Sequence, residues 1–304
     1  MAQAQATTLA VPAPPSGAAL ARALRSLGLL RESWVGMAGA GIVLSWVLVA
    51  LFAPLIAPFE PNATLMPFQK PWTAFAGNSV VPPGRFWLGT DHLGRDILSR
   101  IIWGSRTVLT YAPLATLCAY TVGSIMGLAA GYMRGWVDDL LSRVADVILS
   151  FPVLVLYVII IATFGASPLN IIFAITFASG PGIMRIVRGL TLDLRSREYV
   201  AAAETRGDSA WRIMLVEILP NARGPIIVDA CLRLGYVTIT IGVLGFLGLG
   251  LPPPNPDWGG MINEARSMAM SFPHMTIFPC IAISSLILGF NLLADGLREI
   301  SLRD

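Results

Sequence analysis

Charge is scarce in this chain. Of 304 residues, 13% are Asp, Glu, Lys or Arg and 55% are hydrophobic. A soluble domain carries about 25% charged residues, so this chain lacks the polar surface to cover a globule in water. Lysine is nearly missing, with Lys70 alone in the stretch PFQKPWT. A phosphate-cradling loop ends in Gly-Lys-Ser/Thr because the ammonium meets the β- and γ-phosphates. No such ending occurs, so any ATP site belongs to another chain. The cysteines Cys118, Cys231 and Cys280 stand apart in apolar runs and offer neither a metal site nor a disulfide framework. The histidines His92 and His274 are far apart in sequence and read as loop residues. An intramembrane protease needs paired Asp, Ser beside His or Lys, or a zinc motif within apolar helices, and the apolar runs carry none. A net charge of +3 is too small to point to nucleic acid.

What is abundant is apolar sequence in long runs, with a mean hydropathy of +0.69. Residues 1–34 are Ala/Pro-rich and then basic, with Arg22, Arg25 and Arg31, and read as a cytoplasmic N-terminal segment. Val35 to Ala57 is almost wholly apolar, long enough to cross a hydrocarbon core of about 30 Å and too long for a cleaved signal, whose apolar region is about 7–15 residues. Residues 58–106 form a Pro-, Gly- and Trp-containing external loop. Further apolar stretches follow at about 108–131, 144–164, 168–187, 225–250 and 276–294. The expected fold is an all-α polytopic membrane bundle of six transmembrane helices: one N-terminal span, a five-helix core over 107–299 and a cytoplasmic tail at 300–304. Pro113, Pro152, Pro168 and Pro181 fall in or beside the spans. Membrane helices tolerate them where neighbours satisfy the freed carbonyls.

Arginine sets the expected orientation. The segment 185–223 holds Arg185, Arg188, Arg195, Arg197, Arg206, Arg212 and Arg223, and Arg134, Arg143, Arg298 and Arg303 flank other spans. Six spans with both termini in the cytoplasm satisfy all of them. The external loop, with Arg85, Arg95, Arg100 and Arg106, is the exception that a longer loop allows.

The most informative segment lies within 195–221: EYVAAAETRGDSAWRIMLVEILPN. It predicts a helix through Ala201, Ala202 and Ala203, a left-handed stop at Gly207, an N-cap at Asp208, and a second helix from Ser209 to Leu219 ended by Pro220. Small alanines beside an exposed turn would let another protein come close. An ordinary two-helix loop fits the local chemistry equally well.

The segment resembles the EAA coupling loop of ABC importer permeases, with Ala202, Ala203, Gly207, Leu219 and Pro220 at the pattern's positions and Tyr199, Glu204 and Asp208 beside them. Ala201 stands where the family often has glutamate, and Glu217 where it has isoleucine. A salt bridge from position 201 to an ATPase is therefore not expected. Further segments resemble the dipeptide, oligopeptide and nickel permeases: FWLGTDHLGRDILSRIIWGSR, GYMRGWVDDLLSRVADVILSFP, FLGLGLPPPNPDWGGMINEAR and FNLLADGLRE. The order matches the C-type subunit. The resemblance implies a permease in the bacterial inner membrane that itself breaks no covalent bond. It implies a B-type permease partner, one or two ATPase subunits carrying ATP and magnesium, and a periplasmic solute-binding protein. The implied cargo is a short peptide, with nickel, glutathione or opine-type solutes as alternatives. A bare membrane anchor is the competing class.

Other candidates lie outside the coupling loop. Asp229 and Arg233, four apart in the inner half of the fifth span, can pair and would line the path, lock a closed state or face the other permease. Asp138, Asp139, Arg143 and Asp146 cluster at the start of the third span, where Arg143 is expected to reach Asp139 or Asp146. Asp91, Arg95 and Asp96, flanked by Trp87 and Trp103, are expected either to form an external ion-pair knot that caps the bundle or to touch the binding protein. Pro252 to Pro254, Trp258 and Glu264 lead into an expected amphipathic external helix near 259–270. Gly123 and Gly127 predict a close helix contact.

Overall fold

The computed structural model describes residues 33–78, 83–252 and 254–301. The basic N-terminal segment, apart from Ser33 and Trp34, and the end of the tail lie outside them. Helix α1 spans Trp34–Leu51, capped by the Ser33 side chain, which accepts from the Gly36 amide. Its expected run to residue 57 is cut short. The chain breaks at Phe52 (ψ 12°), and a separate short helix α2, Ala53–Ile56, follows with Pro54 in its first turn, where a missing amide costs nothing. The following loop pairs β1 (Thr73–Phe75) with antiparallel β2 (Gly84–Phe86), Ala74 opposite Arg85. Phe59, Phe75 and Phe86 pack together beneath this hairpin.

Helix α3, Ile97–Met133, begins ten residues inside the segment expected to be loop. Asp96 is the reason: its carboxylate accepts from the Ser99 amide at 2.8 Å and hydroxyl at 2.7 Å, supplying the partner a helix start needs. The expected third span is two helices rather than one. These are α4, Gly135–Leu149, and α5, Val153–Phe164, bent by 86° about Pro152. α4 has one buried residue, Ala145, and alternates apolar and charged faces; α5 is apolar throughout. Helix α6 covers Pro168–Arg195, α7 Glu198–Thr205 and α8 Ala210–Arg212. A π-helical stretch Ile213–Ile218 joins α8 to α9, Leu219–Phe246. Pro220 therefore does not end the helix. It sits in the first turn of α9, where no amide is required, and the wider π turn accommodates it. After α9 come α10, Trp258–Ala265, a 3₁₀ turn Arg266–Met268, and α11, His274–Ser301. The external amphipathic helix is thus shorter than expected.

Among the described residues, five helical stretches are long and apolar enough to cross a membrane, or six with the bent pair counted as one span. The core of the bundle is the contact of α3 with α6. A side chain on Gly123 would meet Ile183 at 2.7 Å, and one on Gly127 would meet Val187 at 2.7 Å and the Arg188 amide at 3.0 Å. The small-residue face expected from sequence is the seam of this contact. α1 lies along α11, where Gly39 meets the backbone around Leu292 and Leu293. Trp46 of α1 donates its indole N–H to Ser285 of α11 at 3.0 Å.

Candidate functional site

One end of the bundle carries an elbow. α7 leaves α6 at Ser196 and closes on a Schellman turn: the Asp208 amide bonds the Ala203 carbonyl and the Gly207 amide that of Glu204. Gly207 has φ +78°, the left-handed conformation that a side chain disfavours. The N-cap of the next helix is Ser209 rather than the expected Asp208. The Ser209 hydroxyl accepts from the Arg212 amide, while Asp208 turns its carboxylate to Arg206 at 2.9 Å and Arg212 at 3.5 Å. Side chains of Val200 and Ala203 are buried against Ile213, Met214 and Ile218. Ala201, Ala202, Glu204 and Gly207 stay exposed, as does Trp211 at 51%. Tyr199 is half-buried, and its hydroxyl meets no partner among the described residues.

The elbow is tied to the bundle by polar contacts. Tyr132, near the end of α3, donates to Glu204 at 3.0 Å, and the Arg195 guanidinium sits 5.2 Å from the Tyr132 ring centre. Arg206 bridges Asp208 and Glu217, the latter at 3.1 Å. Glu217 thus has a local role that an isoleucine could not fill. The Asp208 carboxylate holds the Arg206 guanidinium protonated, above its usual value. Leu219 and Pro220 lie on the helix that follows, half-buried and exposed respectively. Nearby, Asp138 accepts two bonds from Arg188, at 2.5 and 2.6 Å, and Asp146 pairs with Arg185. The sequence expected Arg143 in that role. The bend after α4 instead lays it along α6, and arginines of α6 take the carboxylates.

Half-way along α9, Arg233 donates its Nε to Asp229 Oδ2 at 2.8 Å, and the Tyr120 hydroxyl donates to the same oxygen. The expected pairing forms, with a tyrosine from α3 added.

The opposite end carries the ion-pair knot. Asp91 accepts from Arg95 at 2.6 Å and from Arg100 at 3.4 Å, and Arg95 also pairs with Glu264. Asp96 caps α3 instead of joining the pairs, and burial raises its carboxyl above the usual range. Trp258 opens α10. It is fully buried, donates its indole N–H to the Ile101 carbonyl at 3.0 Å and packs edge-on against Trp46. Asp257 caps α10 through the Gly259 and Gly260 amides, and burial pushes its carboxyl up to about 6. Ligating atoms of Asp91, His92 and Glu264 lie within 4.8 Å of one another. Arg95 and Arg100 already claim both carboxylates, so fixed guanidinium charge takes the place a metal ion would have. Sequence reading named Arg100 only as a charge of the external loop and missed Asp257, Tyr132 and Trp211. Only Trp211, an aromatic in a charged turn, left a local signal.

A helix bundle with broken and proline-bearing spans, a tethered exposed elbow at one end and a charged cap at the other defines a polytopic membrane permease. The chain belongs to the family described as binding-protein-dependent transport system inner membrane component, whose model matches residues 119–304. The N-terminal transmembrane domain of oligopeptide transport permease C matches residues 25–74. The chain is 37% identical over 276 residues to the glutathione transport system permease protein GsiD of Pectobacterium atrosepticum, covering 88% of this chain and 89% of that protein. It is 37% identical over 270 residues to the dipeptide transport system permease protein DppC of Alkalihalophilus pseudofirmus, covering 89% and 86%. It is therefore a multi-pass inner-membrane permease subunit of an ABC importer.

Proposed function

We propose that the chain forms part of the path for a short peptide and alternates between inward- and outward-facing packings, driven by ATPase subunits that grip the elbow at 195–221. The relatives named above carry a dipeptide and glutathione, itself a small peptide, and this favours peptide over nickel or opine-type cargo. In this reading a B-type permease completes the path. One or two ATPase subunits hold ATP and magnesium, and a periplasmic binding protein delivers solute to the knot end. Both termini and the elbow face the cytoplasm. The chain makes and breaks no bond.

The observation that carries the reading is the elbow itself. Its outer face presents Ala201, Ala202 and Trp211, while its inner face is fixed to α3, α6 and α9. A push on that outer face reaches three helices at once. Gly207→Val tests this. Open space surrounds the glycine, so a side chain meets no obstacle; the left-handed backbone is what a β-branched residue resists, by about 1–2 kcal/mol. Near-normal membrane insertion is expected, with loss of receptor-stimulated ATP hydrolysis in the reconstituted complex. Full transport by the variant would falsify the docking role.

A further inference from the structure

Arg233 has more hydrogen-bonding capacity than the protein uses. Its Nε is committed to Asp229. Asp229 Oδ2 is shared with the Tyr120 hydroxyl. The Tyr120 hydroxyl also lies within hydrogen-bonding reach of the guanidinium, but its two terminal nitrogens make no hydrogen bond to a carboxylate or carbonyl among the described residues. They lie over Gly182, where even a methyl group would come within 3.6–3.7 Å of them. Arg233 lines a cavity of about 250 Å³ whose other polar walls are Thr116, Tyr157, Ser179, Tyr236 and Thr240. α3, α5, α6 and α9 of this one chain build that cavity, so the guanidinium is not merely turned toward another permease.

Ionisable groups inside a span are expensive, and charges placed there mark solute pathways. Pairing with Asp229 offsets part of the cost but leaves the flat fork of the guanidinium open. Such a fork matches a carboxylate, with two parallel N–H···O bonds. Hydroxyls both donate and accept, and so suit the amide next to a terminal carboxylate. With each water occupying about 30 Å³, the cavity holds the end of a peptide but not a large solute.

We propose that Arg233 and this hydroxyl-lined cavity form a transient subsite for the C-terminal carboxylate of the passing solute, with Asp229 keeping the grip weak enough for release. The proposal rests on the peptide reading above. Alanyl-alanine and its C-terminal amide, taken up by the complete importer with its receptor in proteoliposomes, test it. For each peptide the variant rate is divided by the wild-type rate, which cancels the receptor's own preference. Arg233→Gln leaves Asp229 without its cation and so slows both peptides, and the test reads the difference: uptake of the free acid is expected to fall about tenfold or more further than uptake of the amide. Asp229→Asn frees the guanidinium, so the acid should show a lower KM and a lower maximal rate when each is divided by the amide's value. Acid and amide falling by the same factor, or neither falling, overturns the subsite while the peptide reading stands. A wild-type complex that moves neither peptide overturns both. Should the wild type move the acid alone, Arg233→Lys decides: partial recovery of uptake over Arg233→Gln supports the subsite, and no recovery overturns it.

Discussion

Single residues at the elbow show what the sequence could and could not convey. Gly207 was legible because only a left-handed turn makes sense of a glycine between two short helices, and the structure puts it at φ +78°. The N-cap was misplaced by one residue. Asp208 and Ser209 are equally good caps, and the choice depends on Arg206 and Arg212 competing for the aspartate. Asp257, in contrast, is set by tertiary burial. Its folded carboxyl lies near 6, above the ordinary value near 3.9 of an unfolded chain. A raised acid favours its protonated form in the fold, so its contribution to stability is fully present below about 3.9 and lost as pH rises through about 6. The loss should reach up to about 3 kcal/mol. Thermal melting of the purified complex at several pH values checks this, with Asp257→Asn removing that component of the slope. Identical slopes in the two proteins would contradict the burial argument.

At the scale of helices, the sequence conveyed spans and seams better than joints. Gly123 and Gly127 announced a close contact by their spacing, and α3 meets α6 through them. Gly127→Val should cost about 1–3 kcal/mol, since the new Cβ would lie 2.7 Å from the Met184 carbonyl oxygen and backbone cannot retreat. Gly189→Ala, on the same helix as Met184 but with nothing within 4 Å of the new methyl, should be neutral or raise stability by about 0.5–1 kcal/mol. Melting temperatures of the two variants, side by side, decide; equal behaviour would mean the seam is not tightly packed. The joints were harder to read. An apolar run at 144–164 gives no hint that Pro152 turns the chain by 86°, because hydropathy registers how apolar a stretch is and not its direction. Likewise Pro220 looks like a stop signal, and only the π turn before it shows how the helix passes through.

Taken whole, the molecule has two differently built ends, and nothing local in the sequence separates them. The knot unites Asp91, Arg95 and Arg100 with Glu264, more than 160 positions away in the chain, and no periodicity reports such a meeting. Those arginine side chains are 10% and 4% exposed, whereas Arg206, Arg212 and Arg185 at the elbow end are 55–67% exposed. Mobile ions screen exposed pairs strongly and buried ones much less. Raising salt from about 0.1 M to 1 M, which shortens the screening length from about 10 Å to 3 Å, should quicken amide hydrogen exchange around 195–212 and leave 91–100 and 257–265 unchanged. Uniform quickening would sink the distinction. The stiffness of this permease is thus a local property that the surrounding electrolyte can adjust at one end of the bundle only: ionic strength would loosen the exposed elbow, while the opposite rim keeps its shape as a fixed abutment.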